Sequence, residues 1–401
     1  MKKPQLFDIY KENIMPTYTK TPLIFVKGKG SRLWDIDNKE YLDFFPGWGV
    51  GNLGHCHPKV MQAVRDQISK LIFIPNNYYQ LPQAKLAREL VRLTFPAKVF
   101  FCNSGAEANE AAIKFSRKFG KGRFEIITFE NSFHGRTLGA LAATGQKKYQ
   151  TGFAPLPEGF KTVKFNDLEV LKNAVGDKTV AIMLELIQGE GGINVADKDF
   201  VLAARKLCDQ KNLLLIVDEV QTGVGRTAEM FCYQHYGITP DIVTLAKALG
   251  GGLPVGMMIA KAKIADTLGP GMHASTFGGG PVISRAALAV LEAIDKEKLL
   301  SNAKEMGEYL LVKLEALKKK YPLILGIRGK GLMLGVELSS PGKSIVEDCM
   351  QKGLLINCTH EVVLRLMPAL NVSKKDIDKA IRILEEVIKK QPSPSKGPGD
   401  I

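Results

Sequence analysis

Short apolar runs alternate with longer amphipathic segments between about residues 60 and 270 of this 401-residue chain. The apolar runs predict strands, and the amphipathic segments predict helices. This alternation is typical of an α/β domain in which helices cover a mainly parallel sheet, so we predict a large domain over residues 60–270. The predicted strands are Val99–Cys102, Glu125–Phe129, Ala181–Glu185, Leu213–Val217 and Ile242–Leu245, and two of the predicted helices are Ala106–Phe119 and Phe200–Lys211.

The two ends of the chain predict a second, smaller α+β domain. Residues 1–59 contain a turn-rich pair of predicted strands, 23–27 and 32–35, and we assign them to this domain together with residues 271–390. The stretch 391–401 is rich in Pro, Gly and Ser, and we predict a flexible tail there. In residues 271–390 the pattern predicts one long helix over 286–319, strands at 324–328, 332–337 and 362–366, and a last helix over 375–389.

The composition is that of an average globular protein, but the formal net charge is +14. Lysine clusters at residues 318–320, 374–375 and 389–390 lie on predicted helices without interleaved aromatic residues. We therefore interpret them as solvated helix faces and predict no nucleic-acid partner. A positive field of this size would attract anionic substrates.

The polar start of the chain and the short apolar runs predict neither a signal peptide nor a membrane span. Six cysteines are scattered without a Cys-x-x-Cys pair, which favours reduced, mostly buried thiols and predicts no metal site. We therefore expect a cytoplasmic protein that has no membrane partner.

The most informative pair of residues is Lys247 and Asp218. Lys247 follows the predicted strand Ile242–Leu245, and Asp218 follows the predicted strand Leu213–Val217. Ligands of open α/β sheets bind at such carboxyl ends. A lysine can hold the aldehyde of pyridoxal 5'-phosphate as a Schiff base, and a carboxylate beside the pyridine nitrogen keeps the ring protonated. Neither residue is informative alone, but together they predict this cofactor.

Two further segments are candidates for holding the cofactor. Ser104, Gly105 and Ala106 follow a predicted strand and open a helix, so their backbone N–H groups and the serine hydroxyl can face a phosphate. Taken alone, such a serine is more often a simple helix cap. Phe133 could stack on a planar ring and Arg136 could clamp a carboxylate, although a core phenylalanine and a surface arginine are the plainer interpretation.

The residues directly after Asp218 extend this candidate site. Val220 could press on the opposite face of the cofactor, and Gln221 could donate to its phenolic oxygen. The plainer interpretation of Asp218 is that it caps a helix.

Taken together, these segments resemble the class III pyridoxal phosphate aminotransferases of fold type I, of the acetylornithine/ornithine type. The resemblance extends from Leu33 to about Leu384. Its most specific stretches are residues 53–58, 101–109, 133–137, 188–192, 217–226, 245–256 and 275–279.

The resemblance implies a role for each cofactor residue. Lys247 would carry the cofactor and move the proton, and Asp218 would pair with the pyridine nitrogen. Thr276 would reach the phosphate held by the neighbouring subunit, so a homodimer with shared active sites is implied. The other implied contacts are Ser104, Gly105 and Ala106 with the phosphate, Phe133 and Val220 with the ring, and Gln221 with the phenolic oxygen.

The resemblance also implies how substrates bind. Arg365 matches the arginine that binds the substrate α-carboxylate, and Arg136 matches the one that engages the distal carboxylate, so the two could grip 2-oxoglutarate. Glu190 matches a switch carboxylate that neutralises Arg365 when an ω-amine donor is bound. The plainer interpretations are a surface salt bridge for Arg136 and a strand-edge ion pair for Arg365.

The amino donor is predicted from thinner evidence. Residues 76–87 and 49–55 are similar to the acetylornithine branch, which favours N-acetylornithine as donor and a step of arginine biosynthesis. Trp48, Leu186 and Gly280 depart from the family pattern, and Trp48 leaves ornithine, succinylornithine, 4-aminobutyrate and a carrier-bound lysine precursor as alternatives. From other classes, a cofactor-free basic binding protein and a 2-aminomutase remain alternatives.

Overall fold

The computed structural model describes residues 3–391, and its central element is a mainly parallel sheet of seven strands. Strand β12 (Gly256–Lys261) runs antiparallel to both of its neighbours, β4 (Ala97–Cys102) and β11 (Ile242–Ala246), whereas the other adjacent strands are parallel. The predicted mainly parallel sheet is therefore confirmed. In spatial order the strands are β4 (Ala97–Cys102), β12 (Gly256–Lys261), β11 (Ile242–Ala246), β10 (Leu214–Asp218), β7 (Thr179–Leu184), β5 (Glu125–Phe129) and β6 (Phe160–Val163).

Helices cover both faces of this sheet. In β10, Ile216 packs in a cluster with Phe115, and Val217, on the opposite face, packs in a cluster with Phe200. Burial on both faces explains why the sequence of β10 is apolar at successive positions rather than alternating. The helices of this part are α2 (Pro58–Ile68), α3 (Leu81–Leu93), α4 (Gly105–Phe119), α5 (Leu138–Ala143), α6 (Lys147–Gln150), α7 (Leu168–Ala174) and α8 (Lys198–Lys211).

The two ends of the chain share a smaller sheet. Leu42 of the N-terminal part pairs in parallel with Leu354 of the C-terminal part. The four strands of this sheet have the spatial order β1-β2-β3-β15. This pairing agrees with a small domain built from both ends, whereas the boundaries near residues 59 and 270 stay a prediction. The strands are β1 (Phe25–Lys29), β2 (Arg32–Asp35), β3 (Glu40–Asp43) and β15 (Leu354–Leu355), and helix α1 (Lys3–Asn13) precedes them.

A second small sheet, in the order β13-β14-β17-β16, lies in the C-terminal part. Its strands are β13 (Ile324–Lys330), β14 (Met333–Leu338), β16 (Asn357–Thr359) and β17 (Val363–Leu366). Helices α9 (Pro281–Lys296), α10 (Leu299–Lys320), α11 (Lys343–Gln351) and α12 (Lys374–Ile388) accompany it, and β8 (Ile187–Gln188) pairs separately with β9 (Asn194–Val195).

The predicted single helix over residues 286–319 is wrong. Two helices occupy this stretch, and they are separated at Glu297 and Lys298. Lys298 has a φ of +53°, a left-handed conformation that ends one helix and reorients the next. The Glu297 carboxylate lies 2.8 Å from the Lys59 Nζ, so a tertiary ion pair lies at the break. The sequence has neither glycine nor proline there, and the break was therefore missed.

Within residues 3–391 we find no helix long and apolar enough to cross a membrane. Four of the six cysteines are buried, Cys358 is half-buried and Cys56 is exposed. The predicted flexible tail lies outside the described residues, apart from Gln391.

Glu219 is a buried carboxylate that joins the end of β10 to the segment following it. One oxygen accepts from the Tyr233 backbone N–H at 2.8 Å, and the other accepts from the Thr222 hydroxyl at 2.7 Å. Burial raises the pKa of Glu219 to about 7, although these hydrogen bonds act in the opposite direction. Because the unfolded chain loses this proton at a lower pH, folding holds a proton that the unfolded state has released.

We expect Glu219→Gln to remove a pH-dependent loss of stability. Below the unfolded pKa the wild-type contribution is fully present, and it is lost as the pH rises through about 7. The loss amounts to about 3 kcal/mol for this pKa difference. The glutamine oxygen can still accept from Tyr233, and its amide can donate to Thr222. Urea unfolding at pH 5 and pH 8 measures the difference.

Glu169→Gln is the matched control, because that carboxylate is largely exposed. It should keep the wild-type pH dependence of the unfolding free energy. If Glu219→Gln also kept it, Glu219 would not be the group that binds the proton.

Candidate active site

The carboxyl ends of β4, β5, β7, β10 and β11 lie at one edge of the large sheet, because these strands are mutually parallel. Side chains that follow these strands line a cavity of about 450 Å³. This is the edge at which open α/β sheets bind ligands. The lining includes Val50, Asn103, Ser104, Gly105, Ala106, Asn109, Phe133, His134, Arg136, Glu185, Glu190, Asp218, Val220, Gln221, Lys247 and Pro254.

Lys247 follows β11 directly and has a left-handed backbone conformation, with a φ of +47°. That conformation is unusual for a residue with a side chain, and such outliers concentrate at functional sites. Burial lowers the pKa of Lys247, while the negative charges of Glu190 and Asp218 act against this decrease. No hydrogen bond or ion pair involves its amine among residues 3–391. The amine is therefore available as a nucleophile.

Asp218 is fixed at the end of β10 by three groups. One oxygen accepts from the Asn109 amide at 2.8 Å and lies 2.8 Å from the His134 Nδ1. The other oxygen accepts from the Val220 backbone N–H at 3.0 Å. The side chain is only 4% exposed, so these contacts hold the carboxylate in one orientation at the cavity.

The N-terminus of α4 reaches the same cavity. Ser104 caps this helix, because its hydroxyl oxygen accepts from the Glu107 backbone N–H at 3.2 Å. Gly105 and Ala106 begin the helix, so their N–H groups have no intrahelical acceptor. A Cβ atom added at Gly105 would lie 2.7 Å from the Val220 Cγ1. The simple helix cap and the anion-facing backbone are therefore present together.

Phe133 and Arg136 lie on the loop after β5. The Arg136 guanidinium carbon lies 4.0 Å from the centre of the Tyr149 ring and 5.6 Å from that of Phe133. Phe133 and Tyr149 meet edge to face, with ring centroids 5.7 Å apart. No ion pair to Arg136 occurs among residues 3–391, so this part of the chain gives no support to a surface salt bridge. Its donors are free to bind a carboxylate.

Arg365 is fully buried on β17 and does not itself line the cavity, but it contacts Glu190 and Gln221, which do. Its Nη1 lies 2.7 Å from the Glu190 carboxylate and donates to the Gly189 carbonyl at 2.9 Å. Burial acts to raise the pKa of Glu190, but the charge and hydrogen bond of Arg365, together with the charge of Lys247 and the hydrogen bond of Gln221, lower it overall. The predicted pairing of Arg365 with Glu190 is therefore present.

Gln221 and Thr276 lie differently with respect to the cavity. The Gln221 amide donates to Glu190 at 3.3 Å and its oxygen accepts from Arg365 at 3.1 Å, so in this structure Gln221 belongs to the arginine group. Thr276 is exposed and does not line the cavity. Gln221 and all the other predicted cofactor residues except Thr276 line the cavity.

Residues 14–388 match the family described as Aminotransferase class-III. The acetylornithine aminotransferase of Methanocaldococcus jannaschii is 53% identical, over 96% of this chain and 98% of that protein. That of Caldanaerobacter subterraneus subsp. tengcongensis is 50% identical, over 94% and 98%. The solved ornithine aminotransferase of Toxoplasma gondii is 32% identical with a TM-score of 0.94, over 97% of this chain and 95% of that one.

The chain belongs to the class-III aminotransferases. This membership confirms the predicted family, the fold of type I and the prediction of a pyridoxal phosphate-dependent transferase. Nearly the whole described chain takes part in the match, so no large region is left to an unrelated module.

In this class-III aminotransferase, sequence reasoning missed a third acidic residue, Glu185. It follows β7, lines the cavity, and accepts from the backbone N–H of Phe133 at 2.8 Å and of Gly189 at 3.1 Å. Burial raises the pKa of Glu185 to about 7, against the influence of His134. Its place at the end of a predicted strand was a usable signal, because Asp218 was found in the same way.

Asn109, His134 and Asn357 were also missed. Asn109 and His134 lie within the motifs that carry the family resemblance, but only the structure shows that both contact Asp218. Asn357 on β16 contacts Arg365 on the adjacent strand β17. No local sequence signal identifies Asn357, because its role depends on strand register.

Proposed function

We propose that this aminotransferase transfers the ω-amino group of N-acetylornithine to 2-oxoglutarate, producing N-acetylglutamate semialdehyde and glutamate in arginine biosynthesis. The names of the relatives from Methanocaldococcus jannaschii and Caldanaerobacter subterraneus support this donor. The observation that carries the proposal is a pair of arginines at the cavity that contains Lys247: Arg136 lines it and has no ion pair among residues 3–391, and Arg365 is paired with Glu190, which lines it.

The residues at this edge fit pyridoxal 5'-phosphate. Gly105 has no room for a Cβ atom, so the helix start presents bare backbone N–H groups, which suit a phosphate. Asp218 is held rigidly where it can pair with a pyridine nitrogen. We propose that Ser104, Gly105 and Ala106 bind the phosphate, Phe133 and Val220 contact the two ring faces, Gln221 approaches the phenolic oxygen, and Lys247 holds the aldehyde carbon.

When bound, this cofactor supplies an electron-withdrawing ring that stabilises negative charge on the carbon bearing the amino group. The protein supplies the proton transfer. Burial lowers the pKa of Lys247, so its Nζ can take a proton from the substrate carbon and return it at a neighbouring position. Asp218 keeps its orientation during this transfer, because Asn109 and His134 fix one of its oxygens.

The arginines would bind the two substrates in different ways. With 2-oxoglutarate, Arg365 grips the α-carboxylate and Arg136 grips the distal carboxylate. With the donor, Glu190 stays on Arg365 and cancels its charge, while Arg136 holds the donor's α-carboxylate. One cavity could then accept a dicarboxylate in one half reaction and an ω-amine in the other.

We also propose a cytoplasmic homodimer with shared active sites. Thr276 is exposed next to Phe277, which is 65% exposed and contacts Phe73 at a ring distance of 5.5 Å. An exposed aromatic pair of this kind suits burial against a second copy of the chain. Thr276 would then act at the phosphate site of that copy.

The donor is tested by a panel that contains N-acetylornithine, ornithine, succinylornithine, 4-aminobutyrate and a carrier-bound lysine precursor, each with 2-oxoglutarate. We expect N-acetylornithine to give the highest kcat/KM. Trp48 is half exposed and meets Phe45 edge to face at 5.6 Å, and Phe45 lies 4.7 Å from the Arg365 guanidinium. A higher kcat/KM with another donor would contradict this prediction, and Trp48 would then be the first residue to test as the cause of the different donor preference.

Lys247→Ala should abolish turnover and leave the protein folded, because the amine that holds the cofactor and moves the proton is removed. We expect a loss of several orders of magnitude in kcat, measured as glutamate formation, with an unchanged circular dichroism spectrum. Lys263→Ala, at an exposed lysine, is the matched control. Full activity of Lys247→Ala would rule out the proposed function.

Glu190→Ala should impair mainly the half reaction with the donor, because Arg365 would then keep its charge beside an ω-amine substrate. We expect a decrease of about tenfold or more in the rate constant of that half reaction, from the loss of one member of a buried ion pair. The half reaction with 2-oxoglutarate should change less. Stopped-flow absorbance of the cofactor measures each half reaction, and unchanged donor kinetics would contradict the switch.

A further inference from the structure

Asn357 lies directly opposite Arg365 on the neighbouring strand. Strands β16 and β17 are antiparallel, and these two residues are partners in their register. The Asn357 Oδ1 accepts from the Arg365 Nε at 3.2 Å and from its Nη2 at 2.8 Å. A guanidinium has donors only, so it must face the oxygen of this amide rather than its nitrogen.

The Arg365 guanidinium is thus held along two different edges. Its Nε and Nη2 edge contacts the neutral Asn357, whereas Nη1 contacts the Gly189 carbonyl, Gln221 and Glu190. The Phe45 ring lies 4.7 Å from the guanidinium carbon. If Glu190 moved away, the contacts with Asn357, Gly189 and Phe45 would still hold the arginine in place.

The two members of the ion pair differ in freedom. The Arg365 side chain is fully buried, whereas the Glu190 side chain is 19% exposed. Outside the pair, the backbone oxygen of Glu190 accepts from the Thr359 hydroxyl at 2.8 Å, and its carboxylate accepts only a longer hydrogen bond, 3.3 Å, from the Gln221 amide among residues 3–391. Its carboxylate bonds to Arg365 and Gln221. Glu190 is therefore the member that can leave.

The two side chains that bind Arg365 from opposite edges also differ in charge: Asn357 is neutral, whereas Glu190 is negatively charged. Among residues 3–391, the ion pairs of Arg365 involve Glu190 and no second carboxylate. Asn357 fixes the position of the guanidinium without cancelling its charge. An acidic residue at 357 would have compensated the positive charge of Arg365 permanently, whatever the position of Glu190.

We propose that Asn357 is a positioning residue that determines substrate specificity: it fixes Arg365 through a neutral acceptor and leaves the charge of the pocket to Glu190. This inference rests on the proposed function, in which Arg365 is charged toward 2-oxoglutarate and neutralised toward the ω-amine donor. The requirement at position 357 is thus a hydrogen-bond acceptor that carries no charge.

Asn357→Asp tests this requirement, because it keeps the shape and adds the charge. We expect affinity for glutarate, a dicarboxylate that cannot react, to fall about tenfold or more, since a second carboxylate then neutralises Arg365. The rate of the half reaction with 2-oxoglutarate should fall similarly, while the donor half reaction stays within about twofold of wild type. Calorimetry on the holoenzyme measures glutarate binding, and stopped-flow absorbance measures the half reactions.

The double variant Asn357→Asp with Glu190→Ala gives a sharper result. The new carboxylate should replace the one removed, so the donor half reaction recovers about tenfold relative to Glu190→Ala, while glutarate binding stays weak. A residue with a merely structural role would not produce this rescue. A parallel loss in both half reactions, or no rescue, would overturn the role of Asn357.

The controls separate this inference from the proposed function. If Glu190→Ala left the donor half reaction unchanged, the proposed switch would fail, whatever Asn357 does. If Glu190→Ala impaired it and Asn357→Asp gave no rescue, only the role of Asn357 would fail. Should the Asp variant not fold, Asn357→Ala removes the acceptor without adding charge, and it should weaken glutarate binding while sparing the donor half reaction. An equal loss in both would again overturn the inference.

Discussion

The buried charge of Arg365 is the constraint on which the arrangement of the candidate site depends. Removing a guanidinium from water is costly unless acceptors replace the lost hydration. Here the replacement consists of a neutral part, namely Asn357, Gln221 and the Gly189 carbonyl, and a charged part, Glu190. The neutral part belongs to the framework, whereas the charged part is partly exposed. Among residues 3–391, Glu190 therefore supplies the one carboxylate that forms an ion pair with this buried charge.

A second buried arginine shows what a purely structural solution looks like. Arg226 is also fully buried, but its partners are neutral: the carbonyls of Leu332 and Pro368 and the side-chain oxygen of Asn52. Burial lowers the pKa of Arg226 to about 9. These contacts connect the N-terminal segment to the C-terminal part beside β17, so Arg226 links two parts of the framework that carries Arg365.

The sequence was sufficient to predict the features that depend on local pattern. Five of the seven strands of the large sheet were predicted from their apolar runs, whereas β6 and β12 were missed, and Lys247 and Asp218 were found because each follows a run that is fully buried. The break at Lys298 was missed because its left-handed backbone lacks a glycine. Asn357 was missed because β16 has three residues, and its partner is fixed by tertiary register.

The sequence was sufficient to predict several residues that lie at the cavity, but it was not sufficient to predict most of the contacts that they make there. Parallel strands place their carboxyl ends at one edge of the sheet, independently of the conformation of the loops. Residues that directly follow such strands in the sequence are therefore close together in the fold. Contacts such as that of Glu185 with the backbone of both Phe133 and Gly189 depend on loops that differ in length and path. Glu185 thereby links the loop that carries Phe133 to the loop that carries Glu190. One buried carboxylate therefore positions both the proposed cofactor side and the proposed substrate side of the cavity.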